Sequence, residues 1–367
     1  ERIDLAGADD PRDVVHRAVA CLAQGGVVGL PIEGGACVAA SALNPDSVAR
    51  ARAFARPDHD RRPTLLLRGA EDADDWADSP TEAADRLARR AWPGPLCLVV
   101  AARADGLTAR LPGPVRDVLI PDGWLALRVP SPGPVLDVVR LVPGPVIAFE
   151  VAPVRGSSGP LTADRPGVES LEMIIESAPR RENRPASVVR VEPGGLKLTR
   201  AGLFSEAEVA ALSGTIWLFV CTGNTCRSPM AEAICKATLA RRIGCKPEGL
   251  VERGHVVMSA GVGASDGAPA APHAVEAVAR RGASLKAHAS LRATPTVLRR
   301  ADLVIALAGE HLDAVLDLAP DLAGRARMLH PEGFDVADPI GLDRAVYEET
   351  AREIEEYVAR LLDDLGV

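Results

Sequence analysis

The segment from Ile216 to Pro229 constrains this chain more than any other. The apolar run Ile216-Trp217-Leu218-Phe219-Val220 leads directly into Cys221-Thr222-Gly223-Asn224-Thr225-Cys226-Arg227-Ser228, and Pro229 suits the first turn of a helix that runs to Ile243. A buried strand, a small polar loop and a helix start, in that order, place the loop beyond the carboxyl end of a strand. Ligands of open α/β sheets bind there. The parts fit one task, which is to hold a phosphoryl group against a thiolate. Loop N–H groups can turn inward, and the helix N-terminus adds partial positive charge, so both a dianion and a thiolate are favoured. Arg227 brings a planar fork of donors for two phosphate oxygens, and Gly223 is expected to take up a backbone conformation that a Cβ would forbid. A lone cysteine at a strand end is ordinarily a packed small side chain. The arginine six residues on, with a Gly/Asn/Ser loop around it, argues for a nucleophile instead.

The sequence after this loop alternates regularly. Strands are expected at Val256–Met258, Leu303–Ala306 and Ala326–Leu329, and helices at Pro272–Arg281, Glu310–Leu318 and Arg344–Leu365. Such βα alternation implies a parallel sheet covered on both faces, a three-layer α/β domain.

The first half follows another pattern. Asp10 can cap a helix with Pro11 in its first turn, and Val14, Val15, Ala18, Val19 and Leu22 share one face. Strands are expected at Val27–Leu30, Thr64–Leu67, Leu96–Val100, Leu125–Val129, Val146–Phe149 and Val188–Val191, separated irregularly by helices and Pro/Gly turns, which implies a mixed α+β sheet. Residues 151–186, rich in Pro, Arg, Ser and Glu, read as a surface excursion. Ser205 to Glu208 has capping-box spacing for a short helix before Ser213-Gly214. The boundary is therefore set between residues 213 and 214, in keeping with a length of 367 residues at roughly 150 per domain.

Composition narrows the class of function. A net charge of −8 gives no overall field for phosphate backbones, and 3% aromatic residues leave little for base or sugar stacking. No apolar run is long enough to span a membrane, no leader is read at the start, and the seven cysteines form no disulfide framework. A cytoplasmic protein without membrane partners is expected.

The loop from Cys221 to Ser228 resembles the C-x5-R-S loop of the low-molecular-weight protein phosphatase family, and the resemblance spans about residues 215–367. It implies that Cys221 is the nucleophile that becomes phosphocysteine and that Arg227 holds the equatorial oxygens. It also implies that Thr222, Gly223, Asn224, Thr225, Cys226 and Ser228 shape the phosphate-binding loop, and that Ser259 and His273 belong to the polar network behind it. Ala337-Asp338-Pro339 matches the family's general-acid motif, so Asp338 first protonates the leaving atom and then activates water. No metal and no cofactor is implied. Thr225, the run Cys221 to Glu232 and Pro272 to Ala277 are similar to the protein-arginine phosphatase branch. Tyrosine-directed members carry a larger aliphatic residue in place of Thr225 and aromatics after the Asp-Pro. Ile340 departs from both branches, since the arginine branch has Phe there, so Thr225 and Ile340 are the expected selectivity positions. A plain tyrosine phosphatase is the alternative. Arsenate reductases share the loop but need later resolving cysteines, and no cysteine follows Cys245. Cys226 is either a reversible disulfide partner of Cys221 or a packed side chain.

Residues 11–212 are similar to the YrdC-like family, which makes threonylcarbamoyl-adenylate for tRNA modification. Gly25 to Pro31, Trp92 to Leu96, Leu127 to Pro130 and Thr199 to Gly202 carry the resemblance. The family's Thr and Tyr-Gly after Pro31 are replaced by Ile32-Glu33-Gly34-Gly35-Ala36. Its Lys-x-Arg becomes Phe54-Ala55-Arg56, and its Ser-x-Asn becomes Phe149-Glu150-Val151. A synthase domain binding nucleotide and double-stranded RNA is the alternative from another functional class, and these losses argue against it. Glu33, Arg56 and Arg128 remain as candidate cleft residues. The expected partner is a phosphorylated protein substrate, with no nucleic acid or nucleotide held by the first domain.

Overall fold

Asp10 caps the first helix as expected. Its carboxylate accepts from Arg12 N at 2.9 Å, and the helix Pro11–Ala23 buries Val14, Val15, Ala18 and Leu22. The computed structural model describes residues 1–33, 35–55, 62–78, 81–151, 161, 167–176 and 184–367. It divides into two compact units, Glu1–Ser213 and Gly214–Val367.

Among the described residues of the first unit, a mixed ten-stranded sheet runs in the order Arg2–Asp4, Met173–Glu176, Val28–Ile32, Gly35–Ser41, Val146–Val151, Thr64–Leu66, Trp124–Arg128, Leu96–Ala101, Ser187–Glu192 and Gly195–Arg200. Four of these strands, Arg2–Asp4, Gly35–Ser41, Met173–Glu176 and Gly195–Arg200, were not expected from the sequence. Gly35–Ser41 pairs antiparallel with both Val28–Ile32 and Val146–Val151, and six of its seven residues are buried. Met173–Glu176 lies inside the stretch read as a surface excursion and pairs parallel with Val28–Ile32 and Arg2–Asp4. Most of the rest of that stretch is outside the described residues. The helix at the end of the unit spans Glu206–Ser213, and the Ser205 N–H and hydroxyl both donate to Glu208 Oε2 at 2.7 Å.

Two of the three candidate cleft residues of this unit pair with each other. Glu33 and Arg128 form an ion pair, and both are buried. They hold each other rather than facing a ligand. Arg56 lies outside the described residues.

The second unit carries a four-stranded sheet whose pairings are all parallel: Thr215–Cys221 between His255–Gly261 and Leu303–Ala306, with Ala326–Met328 outermost. Side chains of the central strand alternate between two cores, as the two-residue strand period requires. Trp217, Phe219 and Cys221 pack with Met230, Ile234 and Leu239 of Arg227–Arg242 and with Ile354 and Val358 of the closing helix Arg344–Asp364. Ile216, Leu218 and Val220 pack on the other face with Leu298 of Pro295–Arg300 and Val315 of Gly309–Leu318. Three layers result. Helix Pro295–Arg300, capped by Thr294, was not read from the sequence. In chain order the strands lie 2-1-3-4, so the topological switch point falls between Thr215–Cys221 and Leu303–Ala306. Cys221 ends the first of these strands. Among the described residues no helix is long and apolar enough to cross a membrane.

Candidate active site

The loop after Cys221 is pinned from outside by its carbonyls. Cys221 O accepts from Val262 N, Thr222 O from Gly263 N and Thr225 O from Ala271 N, each at 2.9 Å. Asn224 O lies 2.9 Å from His288 Nε2. In a trans peptide the N–H points opposite to the carbonyl. Carbonyls drawn outward therefore leave the N–H groups of Thr222, Gly223, Thr225 and Cys226 on the opposite side, the arrangement of an anion nest. Helix Arg227–Arg242 starts at the same place and adds its N-terminal partial charge.

The glycine that the loop requires is not Gly223. The left-handed backbone belongs to Asn224, at φ 53°, a region that Asn tolerates better than most residues. A Cβ on Gly223 would meet only Thr225 Oγ1 at 3.6 Å, an ordinary contact. A Cβ on Gly261 would stand 2.5 Å from Thr222 O and 2.8 Å from Asn224 N. Gly261, at the end of the neighbouring strand, is the residue that lets the loop approach.

Behind the nest lies a hydrogen-bond chain with a readable direction. Leu291 N donates to Asn224 Oδ1 at 2.7 Å, which fixes the orientation of this fully buried amide. Asn224 Nδ2 then donates to both Ser228 Oγ and Ser259 Oγ, each at 2.9 Å. Ser259 passes its proton to Glu232 Oε2 at 2.6 Å, and Glu232 pairs with Lys236 Nζ at 2.5 Å. Ser228 Oγ lies 2.9 Å from Cys221 Sγ and 3.3 Å from Ala260 O. Ser228 accepts from Asn224, and its one hydroxyl proton lies between the Ala260 carbonyl at 3.3 Å and the Cys221 sulfur at 2.9 Å.

Arg227 and Asp338 also meet. Arg227 is buried, with Nη2 2.6 Å from Asp338 Oδ2 and Nη1 3.2 Å from Val336 O, whereas the Asp338 carboxylate is partly exposed. Asp338 Oδ1 accepts from Ile340 N at 3.2 Å, and the Ile340 side chain stands largely in solvent.

One expectation changes. His273 is not part of the polar network. Its ring packs edge-on against Tyr347, with 5.5 Å between centroids, and Nδ1 has no hydrogen-bond partner. His288 and His311 are the histidines that touch the loop. Cys221 and Cys226 are both free thiols, and Cys226 is packed, with Sγ 3.2 Å from Tyr347 Oη and 3.6 Å from Thr225 Oγ1. Burial, then the contact with Cys226, raises the Tyr347 phenol above its ordinary pKa.

Sequence reasoning also missed Glu232 and His311. Glu232 stands four residues after Ser228 on one helix, a spacing that carried the signal. His311 Nε2 lies 2.9 Å from Thr222 Oγ1, and its ring is buried. Burial first, and the nearby Arg227 guanidinium second, lower its pKa.

Residues 217–366 match the family described as low molecular weight phosphotyrosine protein phosphatase, and residues 20–202 match the YrdC-type family described under telomere recombination. A protein-arginine-phosphatase of Bacillus subtilis is 38% identical over 152 residues, 40% of this chain and 95% of the relative. A low molecular weight protein-tyrosine-phosphatase of Streptomyces coelicolor is 36% identical over 156 residues, 39% of this chain and 89% of the relative. Through its second unit, and joined to a YrdC-type domain, the chain belongs to the low molecular weight protein phosphatase family.

Proposed function

We propose that the second unit hydrolyses phosphoryl groups on proteins through a phosphocysteine on Cys221, with phosphoarginine as its preferred substrate. The observation that carries the reading is the hydrogen-bonded chain from Leu291 and Asn224 to Ser228, which places the Ser228 hydroxyl 2.9 Å from the Cys221 sulfur. A sulfur so placed sits beside a nest of N–H groups suited to a phosphoryl dianion.

In this reading the thiolate attacks phosphorus, forming the S–P bond as the bond to the leaving atom breaks. Arg227 and the loop amides hold the equatorial oxygens. Asp338 gives its proton to the departing nitrogen or oxygen, then takes one from the water that hydrolyses phosphocysteine and releases inorganic phosphate. Thr225, half-buried at the nest, supports phosphoarginine, because its hydroxyl suits a hydrated guanidinium nitrogen better than an aryl ring. Kinetics on phosphoarginine and phosphotyrosine peptides, measured side by side, test the assignment. A preference for phosphotyrosine would replace it with the plain tyrosine-phosphatase reading.

For the first unit we infer a scaffold without synthase activity. A cavity of about 260 Å³ is lined by Arg62, Arg190 and Arg200 together with Glu150. Glu150 grips Arg200 in a two-pronged pair at 2.7 and 2.8 Å. A carboxylate of the chain itself thus occupies a guanidinium that a nucleotide phosphate would need. The seven free thiols suit the reducing cytoplasm.

A further inference from the structure

We propose that His311 is a positioning residue that fixes the Thr222 hydroxyl at the mouth of the phosphate loop, making Thr222 an additional donor to the bound phosphoryl group. The inference rests on the phosphatase reading above.

The two residues meet across the switch-point crevice. Thr222 follows Cys221 at the end of one central strand, and His311 lies in the first turn of Gly309–Leu318, which follows the other. His311 is 1% exposed, whereas Thr222 is open to solvent. The Nε2–Oγ1 distance of 2.9 Å therefore ties a solvent-facing side chain to a fixed point in the interior. Thr222 is held on its other side by Gly263 N, which donates to its carbonyl at 2.9 Å.

The same helical turn also holds the loop that carries Asp338. Gly309 N donates to Asp335 Oδ1 at 2.7 Å, and Val336 N donates to Leu307 O at 2.8 Å. Arg227 Nη1 reaches Val336 O from the helix on the far side. The turn thus sets the nucleophile loop and the acid loop at a fixed separation.

The hydrogen bond has a preferred sense. His311 Nδ1 is buried without a partner. An orphaned acceptor is tolerated better than an orphaned N–H, so the ring proton belongs on Nε2 and is donated to Thr222 Oγ1. Thr222 then keeps its own O–H for a ligand oxygen. The charged groups facing the ring are Arg227 from its helix, Asp335 and Asp338 from the acid loop, and Glu310 on the same turn, 3.4 Å from Nε2. Burial and Arg227 hold the ring neutral at pH 7, and a neutral ring is what this geometry requires.

A double-mutant cycle on the full chain decides the matter. His311→Phe keeps an aromatic ring in the core but removes the donor, and Thr222→Val keeps the shape but removes the hydroxyl. Each is expected to lower kcat/KM for nitrophenyl phosphate about tenfold and to weaken inhibition by inorganic phosphate by a similar factor. The double variant is expected to lose no more than either single variant. His311→Gln, whose amide N–H reaches about as far as Nε2, is expected to recover most of both losses. Additive losses, or a Thr222→Val chain that binds phosphate as wild type does, would overturn the inference alone. A wild-type chain that turns over no phosphate ester would overturn the phosphatase reading and this inference with it.

Discussion

Arg227 Nη2 lies 2.6 Å from Asp338 Oδ2, so the cation that awaits phosphate is already paired with the carboxyl proposed as the acid. In the proposed mechanism, a phosphoryl dianion entering the nest competes with Asp338 for Arg227. Asp338→Asn retains the shape but cannot transfer a proton. Its rate loss is expected to reach about 100-fold or more on alkyl phosphates and phosphoarginine, but roughly tenfold or less on nitrophenyl phosphate, whose leaving group needs little protonation. Equal losses on both would remove Asp338 from the acid role.

Cys221→Ser should abolish turnover while leaving the melting temperature nearly unchanged. The smaller hydroxyl fits the site and can still bond Ser228 Oγ, but it stays protonated at neutral pH. Measurable steady-state turnover above background by this variant would place the nucleophile elsewhere.

Thr225→Ile replaces a half-buried hydroxyl with apolar bulk. A contact of this kind is worth on the order of 1–3 kcal/mol, or roughly 5- to 150-fold in a rate ratio. The variant should lose kcat/KM on phosphoarginine and hold or gain it on phosphotyrosine. Ile340→Phe, at the exposed position after Pro339, should instead favour phosphoarginine by stacking on the guanidinium plane. Unchanged ratios in both variants would show that neither position selects the substrate.

The buried His311 links stability to pH. Its folded pKa lies below the ordinary value, so the unfolded chain binds the proton more readily. The contribution of the neutral ring is therefore complete above about pH 6.5 and is lost as the pH falls through that value toward the lowered folded pKa. Urea midpoints compared at pH 7.5 and 5.5 should fall further for wild type than for His311→Gln. Parallel declines would assign the pH dependence to other groups.

The full chain, given ATP, threonine and bicarbonate, should release no pyrophosphate beyond background, because Glu150 already holds Arg200 and the Lys-x-Arg and Ser-x-Asn residues are absent. Threonine-dependent release would restore the synthase reading.

The second unit was largely legible because its βα alternation has one meaning, and Cys221, Arg227 and Ser228 sit at spacings that a strand-to-helix loop demands. His288 was not legible. It bonds a backbone carbonyl 64 residues away, and such a contact leaves no periodicity in either segment. His273 was favoured only for its place in the family pattern, yet its helix turns it toward Tyr347. Gly35–Ser41 escaped notice because Gly, Ala and Ser carry little strand propensity. It is a strand because Val28–Ile32 and Val146–Val151 pair with it on both sides. The Glu33–Arg128 pair shows the same limit, since charge alone does not reveal whether a residue faces solvent or another charge.

The phosphate loop is eight residues of local sequence, but it is held by Val262, Gly263, Ala271, His288, Leu291, His311 and, through Cys226 and Arg227, by Tyr347 and Asp338. None of these braces can act before its own segment has been synthesised. A chain ending at Ser228 carries the proposed nucleophile without its cradle, because these braces lie later in the sequence, the last of them, Tyr347, in the helix Arg344–Asp364.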